Sequence, residues 1–250
     1  MVDTHAHLSA CDPPGEELVA AARDADVRRI LDIGMDEEGN RAAVAAAEAH
    51  DEVLASVGRH PNSAAGFDDR AAEAIEALAT HDRVRAIGET GLDYYRDRAP
   101  RSDQERAFRT QIEIARSAGL PLVIHTRDAL DDTLSLLGAE AEGVPVVLHC
   151  FSAPPDRVAE VVEQGWHCSF AGNLTYRKSD GLREAAAMVP DELLLVETDA
   201  PFLAPQPVRG KPNQPANVVA TAQALADVRG ISYAELERAV EANAARLFGW

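Results

Sequence analysis

The sequence predicts an α/β protein: a single (β/α)8 barrel of the TIM type with one extra C-terminal helix. Three observations carry this expectation. Short β-branched or Leu-rich runs alternate with amphipathic Ala/Glu/Arg segments along the whole chain, which implies parallel strands joined by helical crossovers. There are eight such runs, and eight units favour closure into a barrel over an open sheet. The length of 250 residues suits one barrel, and no linker, low-complexity tract or repeat divides residues 1–250.

Strands are expected at 2–5, 29–34, 53–58, 84–88, 120–125, 145–150, 166–170 and 193–197. Helices are expected between them at 16–25, 37–49, 69–80, 103–118, 128–140, 155–164, 180–188 and 216–229, with the extra helix at 233–246. Ser102 with Glu105 and Ser232 with Glu235 have capping-box spacing, in which side chains satisfy free N–H groups of a helix's first turn. No G-x-G-x-x-G follows the first strand, so the phosphate turn of a dinucleotide fold is missing.

Hydrophobic residues make up 46% of the chain, which fits a globular protein and argues against disorder. The start, Met-Val-Asp-Thr-His, has no basic and apolar leader pattern, and no apolar run reaches membrane-span length. A soluble cytoplasmic protein with no evident obligate protein partner is expected. Cys11, Cys150 and Cys168 form neither a C-x-x-C pair nor an even set, which points to reduced thiols. The net charge of −18 would oppose a polyanionic partner. Its form is unusual, because the only lysines are Lys178 and Lys211 and acidic residues decorate nearly every helix. That pattern resembles halophilic proteins, for which molar salt shrinks the screening length to about 3 Å and net charge says little about the substrate.

In a barrel of this kind catalytic groups gather where the strands end. The first strand ends in Asp3-Thr4-His5-Ala6-His7, and residues two apart on a strand share a side, so His5 and His7 can chelate one ion. Asp3 on the same face is expected to orient an imidazole. Glu89 follows the fourth run between two glycines, in Gly-Glu-Thr-Gly-Leu-Asp-Tyr-Tyr at 88–95. The other strand ends carry His60, His125, His149 and Asp199, whereas His50, His81 and His167 fall elsewhere and read as surface or packing residues. Four histidines and two carboxylates on one rim are what two neighbouring divalent cations need, with one carboxylate bridging.

These motifs resemble the TatD-type metal-dependent deoxyribonucleases of the amidohydrolase-like superfamily. The resemblance runs through Asp3 to Leu8, Gly58-Arg59-His60-Pro61, Gly88 to Tyr95, Pro121 to His125, His149-Cys150-Phe151, Glu197 to Pro201 and Asn243 to Phe248. It implies that His5, His7, Glu89 and Asp199 hold one metal and that Glu89, His125 and His149 hold the other, with Zn, Mn or Mg as candidates. The chain departs from the family pattern at Thr90, where Ile is frequent, and at Pro212-Asn213-Gln214-Pro215, where Arg-Asn-Glu-Pro is usual. Many relatives in the wider superfamily bridge their metals with a carboxylated lysine on the fourth strand; here that place is held by Glu89 and neither lysine lies on an expected strand.

The expected activity is two-metal hydrolysis of DNA or RNA phosphodiesters, with exonuclease action on single strands suggested by the resemblance. Asp199, Glu89 and His60 are the catalytic candidates, Asp199 as the group that deprotonates water and His60 as a group acting on the substrate. Arg127, Arg209 and Lys211 are expected to contact phosphates, and Tyr94 or Tyr95 to stack a base. Two alternatives stand beside this reading: hydrolysis of another ester or amide, such as D-aminoacyl-tRNA deacylation, and a non-catalytic metal-stabilised binding module.

Overall fold

The computed structural model of the chain describes residues 1–12 and 15–250. Eight strands, β1 (Val2–Ala6), β2 (Arg29–Ile33), β3 (Val53–Val57), β4 (Val84–Asp93), β5 (Leu122–Arg127), β6 (Val146–Leu148), β7 (His167–Phe170) and β8 (Leu194–Val196), pair in parallel in sequence order. Eight helices alternate with them: α1 (Gly15–Asp24), α2 (Glu37–Ala49), α3 (Asp69–Ala79), α4 (Arg101–Ala118), α5 (Leu130–Glu140), α6 (Val158–Glu163), α7 (Asp180–Met188) and α8 (Val218–Arg229). The expected α/β barrel is what forms. The strands are buried almost throughout because one face fills the barrel and the other packs under helices.

Closure occurs between β8 and β1. Ala6 pairs with Ala200, the His7 N–H donates to Ala200 O at 2.8 Å, and the Asp199 N–H donates to His5 O at 2.9 Å. The seam therefore lies at the strands' C-terminal ends, among the candidate site residues. At the opposite end the extra helix, α9 (Tyr233–Phe248), is tied to the entry of β8 by the Asn243 amide, which donates to Asp191 O at 2.7 Å and Leu194 O at 2.9 Å.

Two expectations need correction. β4 does not end at residue 88 but runs on to Asp93, with its register against β5 shifting between Ile87 and Thr90. The glycines that read as punctuation instead allow close approach: a Cβ on Gly88 would stand 2.4 Å from Val123 O, and one on Gly91 2.0 Å from His125 O. Both have φ near +135°, which only glycine adopts without strain. The second correction is the box at Ser102. α4 begins at Arg101 with Pro100 as its N-cap, so Ser102 already lies inside the first turn and makes no cap. The Ser232 box forms as expected, with the Glu235 N–H donating to Ser232 Oγ and the Ser232 N–H to Glu235 Oε2.

Candidate metal centre

The register shift in β4 turns Glu89 into the mouth of the barrel, where its two oxygens face different neighbours. Oε2 lies 3.6 Å from His5 Nε2 and 3.7 Å from His7 Nε2. Those nitrogens are 3.2 Å apart and stand 3.8 and 3.5 Å from Asp199 Oδ1. Four ligands about 2.0–2.1 Å from one ion in a tetrahedron are separated by about 3.3–3.4 Å. These five separations, 3.2–3.8 Å, lie around that value, so His5, His7 and Asp199 form a group that could hold a cation, with Glu89 Oε2 beside it.

On the other side, Glu89 Oε1 lies 2.8 Å from His125 Nδ1 and 2.9 Å from His149 Nε2, with His60 Nε2 at 3.5 Å. Glu89 is thus shared between two sets of ligand atoms, as a bridging carboxylate must be. It is 2% exposed, and both of its oxygens are committed.

Partners behind the imidazoles fix which nitrogen each presents. His7 Nδ1 donates to Ile33 O at 2.9 Å, leaving Nε2 for an ion. His149 Nδ1 donates to Glu197 Oε1 at 3.1 Å, and His125 Nε2 to Asp93 Oδ2 at 3.2 Å. Glu197 also accepts the Cys150 N–H, and Asp93 accepts from Asn62 Nδ2 and from the Tyr95 and Arg96 N–H groups. Neither carboxylate was singled out from the sequence. Glu197 had a local signal, an acid closing the apolar run of β8; Asp93 had only its place after the second glycine.

His60 differs from the other four. Its Nδ1 accepts the Asn62 N–H at 3.0 Å, so the neutral ring carries its proton on Nε2, which points at Glu89. Burial, only partly offset by Glu89, lowers its pKa to about 3 and keeps it neutral. It presents an N–H donor toward Glu89.

Asp3 is also placed differently from expectation. Its carboxylate touches no imidazole; it accepts from the Thr198 N–H at 2.9 Å, the Thr198 hydroxyl at 2.6 Å and the His5 N–H at 3.3 Å. It orients backbone across the seam. Burial outweighs those bonds and raises its pKa to about 8.

Electrostatically the cluster is a place for positive charge. Burial opposes charge on His7, but Asp199 and Glu89 raise its pKa to about 9. His149 and His125 are likewise raised against burial, by Glu89 with Glu197 and by Asp93 with Glu89. Glu89 is held well below its ordinary value despite burial, by His149, His60 and His125. His5 is the exception: burial and the adjoining His149 lower it to about 3, so it is neutral.

The sequence matches the family model for TatD-related DNases over residues 2–249. The chain belongs to the TatD-related DNase family. It is 36% identical over 251 residues to the Bacillus subtilis uncharacterized metal-dependent hydrolase YabD, covering 99% of this chain and 98% of that one. It is 35% identical over 246 residues to the 3'-5' ssDNA/RNA exonuclease TatD of Cronobacter sakazakii, covering 96% and 94%. The crystal structure of the TatD homologue YjjV of Escherichia coli superposes with a TM-score of 0.93 at 26% identity, covering 100% and 98%. This TatD-family chain is a metal-dependent hydrolase, and its donor set suits divalent cations.

The remaining candidates sit on the rim. Tyr94 is half-buried, with its hydroxyl donating to Asp132 at 2.7 Å and the Arg101 guanidinium 3.8 Å over its ring. Tyr95 is exposed, with Arg127 3.9 Å from its ring centre. Arg209 lies 4.1 Å over the Tyr176 ring, and Lys211 is exposed on the same loop. In the departing segment Asn213 is buried and braces the loop, its amide donating to Thr198 O at 2.9 Å and Phe202 O at 2.7 Å. Thr90 is buried and accepts from Gln111 Nε2 at 2.7 Å. Among the described residues, no helix is long and apolar enough to cross a membrane.

Proposed function

We propose that the protein hydrolyses phosphodiester bonds of single-stranded DNA or RNA, releasing nucleotides from an end. The observation that carries this reading is the charge of the rim beside a two-cation ligand set. In a chain of net charge −18, the stretches 171–179 and 200–217, which follow β7 and β8, contain Arg177, Lys178, Arg209 and Lys211 and no Asp or Glu. Both lysines of the chain lie there. A neutral ester or amide substrate would have no use for that reversal of sign, whereas phosphates need it. The relatives named as single-strand DNA/RNA exonucleases support the same choice.

His5, His7, Glu89 and Asp199 are proposed to hold one cation, and Glu89, His125 and His149 the other. When bound, two such cations lower the pKa of water and stabilise charge on the oxygens of an in-line displacement. Glu89 is excluded as the general base because both oxygens are engaged. Asp199 is partly exposed, 13% of its side chain, and turns Oδ1 to the imidazoles, which leaves Oδ2 to orient the attacking water and accept its proton. His60 donates its Nε2 proton as a hydrogen bond to a phosphoryl oxygen, where a preorganised neutral donor stabilises developing charge. Arg127, Arg209 and Lys211 guide the strand by its phosphates.

The test is incubation of end-labelled single-stranded oligonucleotide with the protein at low and high salt, with and without chelator. Metal-dependent release of nucleotides is expected, and Asp199→Asn should abolish it. Absence of release under all of these conditions refutes the proposal.

A further inference from the structure

Among the described residues, three large apolar side chains stand exposed, and two flank the metal centre: Tyr95 at 58% and Phe202 at 52%. Single exposed aromatics are ordinary on a protein surface. These two are keyed to the site. The Phe202 N–H donates to Asp199 O at 2.7 Å, its carbonyl is held by the buried Asn213 amide, and its ring stands edge-on to His7 with centroids 6.1 Å apart. The Tyr95 N–H donates at 3.0 Å to Asp93, the carboxylate that holds His125. Arg127 packs on the Tyr95 ring at 3.9 Å, with Arg96 at 6.0 Å.

The two aromatics follow β8 and β4, which are four strands apart in an eight-stranded barrel and so lie across the mouth from each other. Phe202 adjoins the His7 and Asp199 side of Glu89, and Tyr95 the His125 side. A phosphate held between the cations would therefore have one aromatic on each flank. Every nucleobase offers a π-face, so such platforms accept any sequence, but only when the bases are unpaired and splayed. A guanidinium on one ring adds attraction for the backbone.

We propose that Phe202 and the Tyr95–Arg127 pair stack the two bases on either side of the scissile phosphate, which makes the enzyme selective for single strands. This rests on the nuclease reading and adds to it the residues that grip the substrate. It replaces Tyr94, which is half-buried and whose hydroxyl is tied to Asp132.

The experiment compares the full-length, metal-loaded protein with Phe202→Ala and Tyr95→Ala on end-labelled oligothymidylate. Each should lower kcat/KM by about 5- to 150-fold, mainly through KM, while metal content stays at the wild-type value. Phe202→Trp and Tyr95→Phe, which keep a ring, should recover most of the loss. Oligonucleotides lacking the terminal or the penultimate base should impose a similar penalty on the wild type. One of these abasic substrates should impose none on Phe202→Ala, and the other none on Tyr95→Ala, because the lost partner is already gone. Wild-type kcat/KM in both alanine variants, or abasic penalties that add in full to theirs, would overturn the stacking. A wild-type protein that carries metal and releases no nucleotide would instead remove the nuclease reading beneath it, so the two failures are distinguishable.

Discussion

Replacing Glu197 by Gln isolates the contribution of one carboxylate to the proposed second cation. Glu197 is fully buried, and its Oε1 accepts from both His149 Nδ1 and the Cys150 N–H. Gln keeps an acceptor for both donors, so the fold is retained, but it removes the charge that makes His149 a strong ligand. Loss of such a partner behind a ligating imidazole weakens metal binding by about 10–100-fold, or roughly 1.4–2.8 kcal/mol. The effect should fall mainly on one equivalent, because Glu197 hydrogen-bonds to His149 and to none of His5, His7, Asp199 and Glu89. Equilibrium dialysis against buffered Zn or Mn, read by elemental analysis, should show one tight equivalent at the wild-type Kd and one weakened within that range. Two equivalents at wild-type affinity would mean that Glu197 does not position His149 for a metal. Equal weakening of both would mean that the two ligand sets are not separable across Glu89.

Glu89→Gln should behave differently, weakening both equivalents in the same dialysis because the negative charge shared by the two sets is lost and one of the two oxygens is replaced by an NH2 that cannot ligate. Metal affinity should rise with pH between about 6.5 and about 9, since protons held on His7 compete with the ion up to its raised pKa of about 9; Kd values independent of pH across that window would contradict this. In the metal-free protein the sign is opposite. The charged His7 contributes stability that is complete below its ordinary pKa of 6.5 and lost as pH rises through about 9, so the Tm of chelated protein should fall over the same interval. Ser232→Ala removes the α9 capping box and should cost about 1 kcal/mol, or about 2–4 °C in Tm by calorimetry. If the acidic coat is a salt adaptation, Tm should be higher in 3 M KCl than in dilute buffer by more than that cap is worth.

The barrel was legible in the sequence because its signal is repetitive: eight apolar runs, each buried on both faces, cannot be hidden by one atypical segment. The six side chains nominated as ligands stand at or near the C-terminal ends of those runs, and the structure brings them together in the mouth of the barrel; their role as ligands is proposed. What was not legible depends on distances across the barrel. Asp93 and Glu197 acquire their roles only when β4 meets β5 and when the end of β8 meets that of β6, so nothing local tells which imidazole each will hold. The choice between Tyr94 and Tyr95 was equally hidden, since it is decided by Asp132 on α5, which ties the hydroxyl of the half-buried Tyr94, whereas Tyr95 stands 58% exposed. Asp3 misled for a simpler reason. Sharing a strand face with two imidazoles suggested contact with a ring, but the donors nearest to it belong to Thr198 and to the His5 backbone.

That last contact links the folding of the barrel to its chemistry. Asp3 joins β1 to Thr198, the Asp199 N–H bonds to His5 O, and the His7 N–H bonds to Ala200 O. These bonds close the sheet, and they also bring Asp199 to the two histidines of β1. Asp199 itself sits at φ +53°, a left-handed conformation that costs a non-glycine residue energy and persists only where its surroundings enforce it. The quartet is therefore assembled by closure of the barrel and does not exist before it. A metal held at the proposed quartet would stabilise the closed seam over any state in which β8 has parted from β1. Hydrogen exchange at the amides of His7 and Asp199 should slow when metal is added, by a larger factor than exchange at Ile30 and Ala55 between β2, β3 and β4. Uniform slowing at all four amides would show instead that the seam opens only with the whole barrel.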